Sequence, residues 1–464
     1  MTFACGAATR PPHPATPRFG LCTVTLLALL LVFHPVQSLA AQSDAVLRQA
    51  TDLSIALPDG SPREWSDADL TWLDSWADTP ILAFGEATHG ARTFTQARLR
   101  TFQYLVKHHG YRAVAFEAHF TEMLFLERCM ADSSCDLAAE MKEHMPVWVT
   151  ITREMLEVLE WIRGYNQGLP PSERVRLIGV DAQVQRRIPE LLSSLLGPAR
   201  RELSEAAAAA YDPLEGLARA DYEAMDSATL QGHLDRLAAL RRAMESADLQ
   251  GRLGAYDAAC AFHTVRVTEQ SLEFLQKYLH AGVNVRDRHL QENVAWIRTT
   301  LGANSKMVLW AHNAHIARDA RYGGNAGGSM GWQLAKIYGS DYKALALTFN
   351  RGEFRAKVID GEGNEPPEAR HIVLVIDPPE DSLNHLLDRI PGPRFVLPLD
   401  GITPESPLGL YLNQPRAILG VGDLWTGYAN IGKYNYGGDR IVNSLQAFDG
   451  IIHLEGTEAT EPLG

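Results

Sequence analysis

Residues 81–90 read ILAFGEATHG. Four apolar residues in succession, with no alternation of apolar and polar, are the pattern of a strand covered on both faces, as in a parallel sheet. The run stops at Gly85, and Glu86 and His89 then stand three residues apart between two glycines. The same texture recurs as YRAVAFEA (111–118), VRLIGVDA (175–182), KMVLWAHNAH (306–315), YKALALTF (342–349) and FDGIIHL (448–454). Amphipathic helical patterns separate these runs. The alternation predicts an α/β fold, with a mainly parallel central sheet flanked by helices.

One interval has a different texture. Between Pro189 and His280 the chain is rich in Ala, Leu, Glu and Arg, as in SEAAAAAYDPLEGLARA, with apolar residues at three- and four-residue spacing. This predicts a large helical insertion over 189–280, set into an α/β core of 41–188 and 281–464, where it either caps the sheet as a lid or packs to one side. Glycines in YGGNAGGSMG (322–331) predict a mobile loop before a helix beginning near Trp332. That loop lacks the Gly-Lys-Ser/Thr ending of a phosphate cradle. The Pro- and Gly-rich last third, with DPPEDS and LDGITPESPLG, predicts irregular connections between late strands.

Arg10 and Arg18 precede an apolar run from Leu21 to Phe33, followed by the small residues Ser38, Ala40 and Ala41. This reads as a cleavable export signal over residues 1–40, cut near Ala40 or Ala41, so the protein is expected to be periplasmic or secreted. An uncleaved anchor is the alternative; a lipoprotein is disfavoured because Leu21, not a small residue, precedes Cys22. Cleavage removes two arginines and no acid, which moves the formal net charge from -13 to -15. Phosphates want a basic face, so nucleic acid is a poor partner. No later stretch is long and apolar enough for stable membrane insertion. In an oxidising compartment Cys129 and Cys135, which bracket a short polar loop, are expected to pair, with Cys260 a buried free thiol.

Ionisable residues collect at the ends of the apolar runs. Glu86, Glu117, Asp181 and His312 each terminate one, and in a parallel sheet all such ends share one rim, where open α/β folds place their sites. His89 and His315 follow Glu86 and His312 by three residues. Arg92 and Arg98 sit on the next helix, within reach of the same rim. Singly, each has a structural reading: Asp181 as a helix cap, His312 and His315 as satisfied core histidines, Arg92 as a solvated residue. The histidines of Lys107–His109, and His119 beyond Glu117, read as structural. The set contains acids, bases and a cation but no elbow serine or cysteine nucleophile, which suits a histidine activating water.

At these residues the chain resembles the erythromycin esterase family and its succinoglycan-biosynthesis-like relatives. GEATHG (85–90), YRAVAFE (111–117), RDRHLQENVAWI (286–297), VLWAHNAHIA (308–317), SMGWQL (329–334) and FDGII (448–452) carry the resemblance, in order, along nearly all of the chain beyond residue 40. The resemblance implies an α/β core interrupted by helical segments and a hydrolase that opens an ester or lactone without metal or cofactor. It implies His89 as general base with Glu86 beside it, and Glu117, Arg98, His312 and His315 as the remaining active-site residues. Asp181 and Arg92 are left as substrate-binding candidates. The implied partner is a small-molecule ester or lactone. Two rivals use the same residues: a hydrolase whose Glu/His cluster holds zinc or manganese, and an exported protein that binds haem, metal or saccharide without turnover.

Overall fold

The computed structural model describes residues 42–464, apart from 146, 184–186, 197–199, 218, 321–327, 359–367, 376, 426 and 428–440. The expected export signal, Cys22, and most of the glycine-rich loop lie outside the described residues. The strands, in chain order, are β1 (Ile55–Ala56), β2 (Ile81–Phe84), β3 (Tyr111–His119), β4 (Arg176–Asp181), β5 (Lys306–Trp310), β6 (Tyr342–Thr348), β7 (Arg351–Val358), β8 (Arg370–Val375), β9 (Arg394–Pro398), β10 (Arg416–Ala417), β11 (Leu424–Trp425), β12 (Ile441–Val442) and β13 (Gly450–Leu454). Eight of them form one sheet in the order β1-β9-β13-β6-β2-β5-β3-β4. The six apolar runs are its six consecutive parallel strands, from β13 to β4. The short strands β9 and β1 extend the sheet beyond β13 with antiparallel pairing.

The lack of alternation in those runs has its cause in two cores. Ile81 and Ala83 of β2 bury in one, with Ile178, Val180 and Leu309. Leu82 and Phe84 bury in the other, with Val114, Phe116 and Trp310. Successive side chains point to opposite faces, so a strand between two apolar layers has no polar face to show.

The connections place the site. The helix Arg92–His109 carries the chain from β2 to β3 across the Phe84 face, and the helix Met330–Tyr338 carries it from β5 to β6 across the opposite face. The chain leaves the neighbouring strands β2 and β5 in opposite directions, which opens a crevice between their C-terminal ends. Glu86 and His312 lie just beyond those two ends.

The helical segment runs from Ile188 to Leu301 and closes with one helix of 47 residues, Ala255–Leu301. The boundary expected at residue 280 falls inside that helix. The helix is anchored to the core beyond that point, where Asn293 donates from Nδ2 to the Val180 carbonyl at 2.7 Å. Cys129 and Cys135 are joined by a disulfide, and Cys260 is a buried free thiol. Among the described residues no helix is long and apolar enough to cross a membrane.

Candidate active site

The turn after β2 is irregular backbone at a buried position, so each of its polar groups needs a partner. Val421 donates its N–H to the Ala87 carbonyl, Asn313 donates to the Glu86 carbonyl, and His89 donates to the Gly422 carbonyl. Arg355 and Thr460 both donate to the carbonyl of Gly90, and a side chain at Gly90 would collide with the Arg355 backbone. The turn is therefore held from several directions, and it presents Glu86 and His89 in fixed positions.

Glu86 and His89 form a hydrogen-bonded pair, with Nδ1 of His89 2.7 Å from Oε1 of Glu86. Arg98 closes on the other carboxylate oxygen, with Nη2 2.6 Å from Oε2, and its guanidinium lies 5.2 Å from the centre of the Trp310 ring. Burial disfavours charge on Glu86, but Arg98 and His89 outweigh it and hold its carboxyl below the usual range. Burial likewise disfavours the His89 imidazolium, yet the Glu86 hydrogen bond and the charges of Glu86, Glu117 and Asp423 push its pKa up to about 9. With Nδ1 taken, Nε2 of His89 has no hydrogen-bond partner among the described residues, and the ring lines a cleft of about 410 Å³.

A second cluster forms at the ends of β3, β4 and β5. Arg286 donates from Nη2 to Glu117 at 2.7 Å and to Asp181 at 2.8 Å. Its Nη1 lies 2.9 Å from Nε2 of His315, whose Nδ1 is 2.8 Å from Asp287. The other oxygen of Glu117 accepts the backbone N–H of His312 at 2.7 Å. Burial works against both carboxylates, but His315 and Arg286 beside Glu117, and Arg286 beside Asp181, hold both pKa values low. His312 spends its ring on the backbone: Nδ1 accepts from Ala314, and Nε2 lies 3.4 Å from the Ala87 carbonyl.

Seven of the eight residues picked from the sequence are thus brought to one rim, and Arg92 is not. Its guanidinium pairs with Glu458 and Glu461 near the chain's end. Helical geometry separates the two arginines: six residues rotate about 240° beyond one full turn, so Arg98 faces the cleft and Arg92 faces away. Arg286 and Asp287 were missed as site residues, although both stand in the RDRHLQENVAWI stretch. Asp423 and Lys357, which line the cleft from the small sheet β11-β7-β8, carried no signal in the sequence.

The erythromycin esterase family model matches residues 106–457, well over half of the chain. The chain belongs to the erythromycin esterase family. It is 21% identical over 308 residues to an erythromycin esterase type II of Escherichia coli, covering 60% of this chain and 71% of that protein. Among solved structures it resembles a Bacillus cereus protein (TM-score 0.74, 20% identity, covering 90% of this chain and 99% of that one) and a succinoglycan biosynthesis protein (0.72, 16%, 91% and 98%). It also resembles an erythromycin esterase mutant in its open conformation (TM-score 0.59, 18% identity, 85% and 95%). Membership in the erythromycin esterase family makes ester hydrolysis its activity at the level of the family. Glu117, Arg286, His312 and His315 fall inside the matched span, whereas Glu86, His89 and Arg98 precede it.

Proposed function

We propose that this protein hydrolyses a carboxylic ester or lactone with water as nucleophile and His89 as general base. The observation that carries the reading is the Glu86–His89 pair, which aims Nε2 into a cleft lined by no serine or cysteine among the described residues. Two of the three threonines there are committed: Thr150 donates to the Val147 carbonyl, and Thr152 caps the next helix. A water held by Nε2 loses a proton to it, and the resulting hydroxide attacks the ester carbonyl. Glu86 fixes the ring and favours the imidazolium that forms, and Arg98 in turn fixes Glu86. The guanidinium groups of Arg98 and Arg286 border the cleft and offset the negative charge that develops on the carbonyl oxygen. Phe116, Trp148 and Met155 offer apolar surface to the body of the substrate. The carboxylates Glu86, Glu117 and Asp181 are each paired with an arginine, which favours this reading over a metal centre. The Cys129–Cys135 disulfide supports an exported, periplasmic or secreted location.

The test is turnover of a panel of activated esters, simple esters, lactones and macrolides by the purified protein. His89→Ala is expected to lose about 100-fold to 10,000-fold in kcat/KM. Full activity in that variant would remove His89 from the role of base.

A further inference from the structure

His119 is the last residue of β3, and it lines the same cleft as His89. β5 lies between β2 and β3, with Phe84, Trp310 and Phe116 level across the three strands, so the chains that carry His89 and His119 leave the sheet two strand spacings apart, about 10 Å, and both histidines line the cleft beyond that level. Where β3 meets β4, Phe116 is opposite Gly179 and His119 is opposite Asp181, so β3 carries one residue more than its partner over this interval. Such bulges re-aim side chains beside active sites. The Nδ1 atom of His119 is 3.5 Å from Oε2 of Glu122, which stands in the first turn of the helix Phe120–Ala131 and is almost wholly buried. Glu122 also accepts the hydroxyl of Thr121 at 2.8 Å. Asp181 on β4 and Arg286 on the long helix are the other charged groups that act on the ring. Burial disfavours its charged form, but Glu122 and Asp181 outweigh burial and raise its pKa. Neither ring nitrogen makes a hydrogen bond among the described residues, so Glu122 acts on the ring as a charge across 3.5 Å. The cleft thus contains a second histidine backed by a carboxylate, on a different strand end from the first.

We propose that His119, held against Glu122, is the general acid that protonates the alcohol as it leaves. The inference rests on the ester-hydrolase reading above. Hydroxide generated at His89 adds to the carbonyl carbon, and the tetrahedral intermediate collapses by breaking the bond from carbon to the alcohol oxygen. As that bond breaks, the proton on Nε2 of the His119 imidazolium passes to the departing oxygen. His119 regains a proton from solvent and His89 returns one to it, so ester and water give acid and alcohol. An alkoxide is a poor leaving group without that proton, whereas a nitrophenolate leaves readily by itself.

The difference in leaving groups supplies the experiment. Two esters with the same acyl group, one of a nitrophenol and one of a simple alkyl alcohol, are compared in the wild-type protein and in His119→Gln. The variant is expected to lose about 100-fold or more in kcat/KM on the alkyl ester and to stay within about threefold on the nitrophenyl ester. Equal losses on both esters, or none on the alkyl ester, would overturn the proposal and leave His89 to serve both steps. If His119→Gln does not fold, the same comparison is read on Glu122→Gln, which keeps the ring but removes its counter-charge. The acyl group is taken from a substrate that the wild-type protein turns over in the panel above, and a wild-type protein inactive on that whole panel would overturn the hydrolase reading itself, and this inference with it.

Discussion

The charge on His89 decides at what pH a residue so placed can act as a base. With its pKa pushed up to about 9 by Glu86 and its neighbours, the ring is an imidazolium at neutral pH. Only the neutral form accepts a proton from water. On a nitrophenyl ester, which needs no general acid, kcat/KM should therefore rise about tenfold per pH unit through the neutral range and level off above about pH 9. Glu86→Gln removes the hydrogen-bonding charge but leaves the burial, so the same rise should shift to lower pH with a reduced plateau. A wild-type profile flat between pH 6 and 9 would contradict the assignment. Stability follows the opposite course. A group whose folded pKa lies above its ordinary 6.5 contributes in full below that value, and the contribution fades as pH rises through about 9. Glu117 and Asp181, held low, contribute above the ordinary carboxylate range and lose that contribution on acidification. Denaturant unfolding of wild type and His89→Ala should accordingly differ more at pH 6 than at pH 10.

At the scale of elements, what could be read in advance follows from burial. The six parallel strands were legible because a strand between two apolar layers must be apolar throughout, and their final polar residues were legible because nothing apolar explains them. Arg286 and Asp287 were not, since a charged residue on a long amphipathic helix is the ordinary case and only the fold turns that stretch toward the rim. The strands β1 and β9 are too short, or too close to prolines, to stand out. Nor did the sequence reveal the bulge in β3, although Gly179 is its complement on β4. A side chain at Gly179 would collide with the carbonyls of Ala118 and His119. Gly179→Ala should push β4 away from the bulge and part Asp181 from Arg286 and His119. The expected costs are about 1–3 kcal/mol in unfolding free energy and a larger fall in kcat/KM than in substrate affinity. Wild-type stability together with wild-type turnover would show that the two strands tolerate the added methyl.

At the scale of the whole molecule, the residues after β13 connect parts of the cleft that no single element joins. Gly456 donates its N–H to Arg351 at the start of β7, and Glu353 donates to Thr457. Arg92 donates to Glu458, and Thr460 to Gly90, which secures the turn that presents His89. Arg153 donates to Glu461 and Leu463 to Ile151, beside the Val147–Thr152 wall of the cleft. Arg92, which the sequence suggested for substrate, instead adds ion pairs to Glu458 and Glu461 in the same seam. None of this was legible beforehand, because backbone pairing leaves little trace in side-chain pattern. The large sheet is complete at Leu454, so removing residues 457–464 leaves every one of its strands in place. What such a truncation removes is the common tether of three cleft borders. A displacement of about 1 Å at a reacting group lowers turnover steeply, and kcat/KM should fall about 10-fold to 100-fold. Proteolysis near residues 147–152 should accelerate at the same time, since that wall loses its backbone partners. A truncated protein with wild-type kinetics and wild-type protease resistance would mean that the cleft borders hold their positions without the tether.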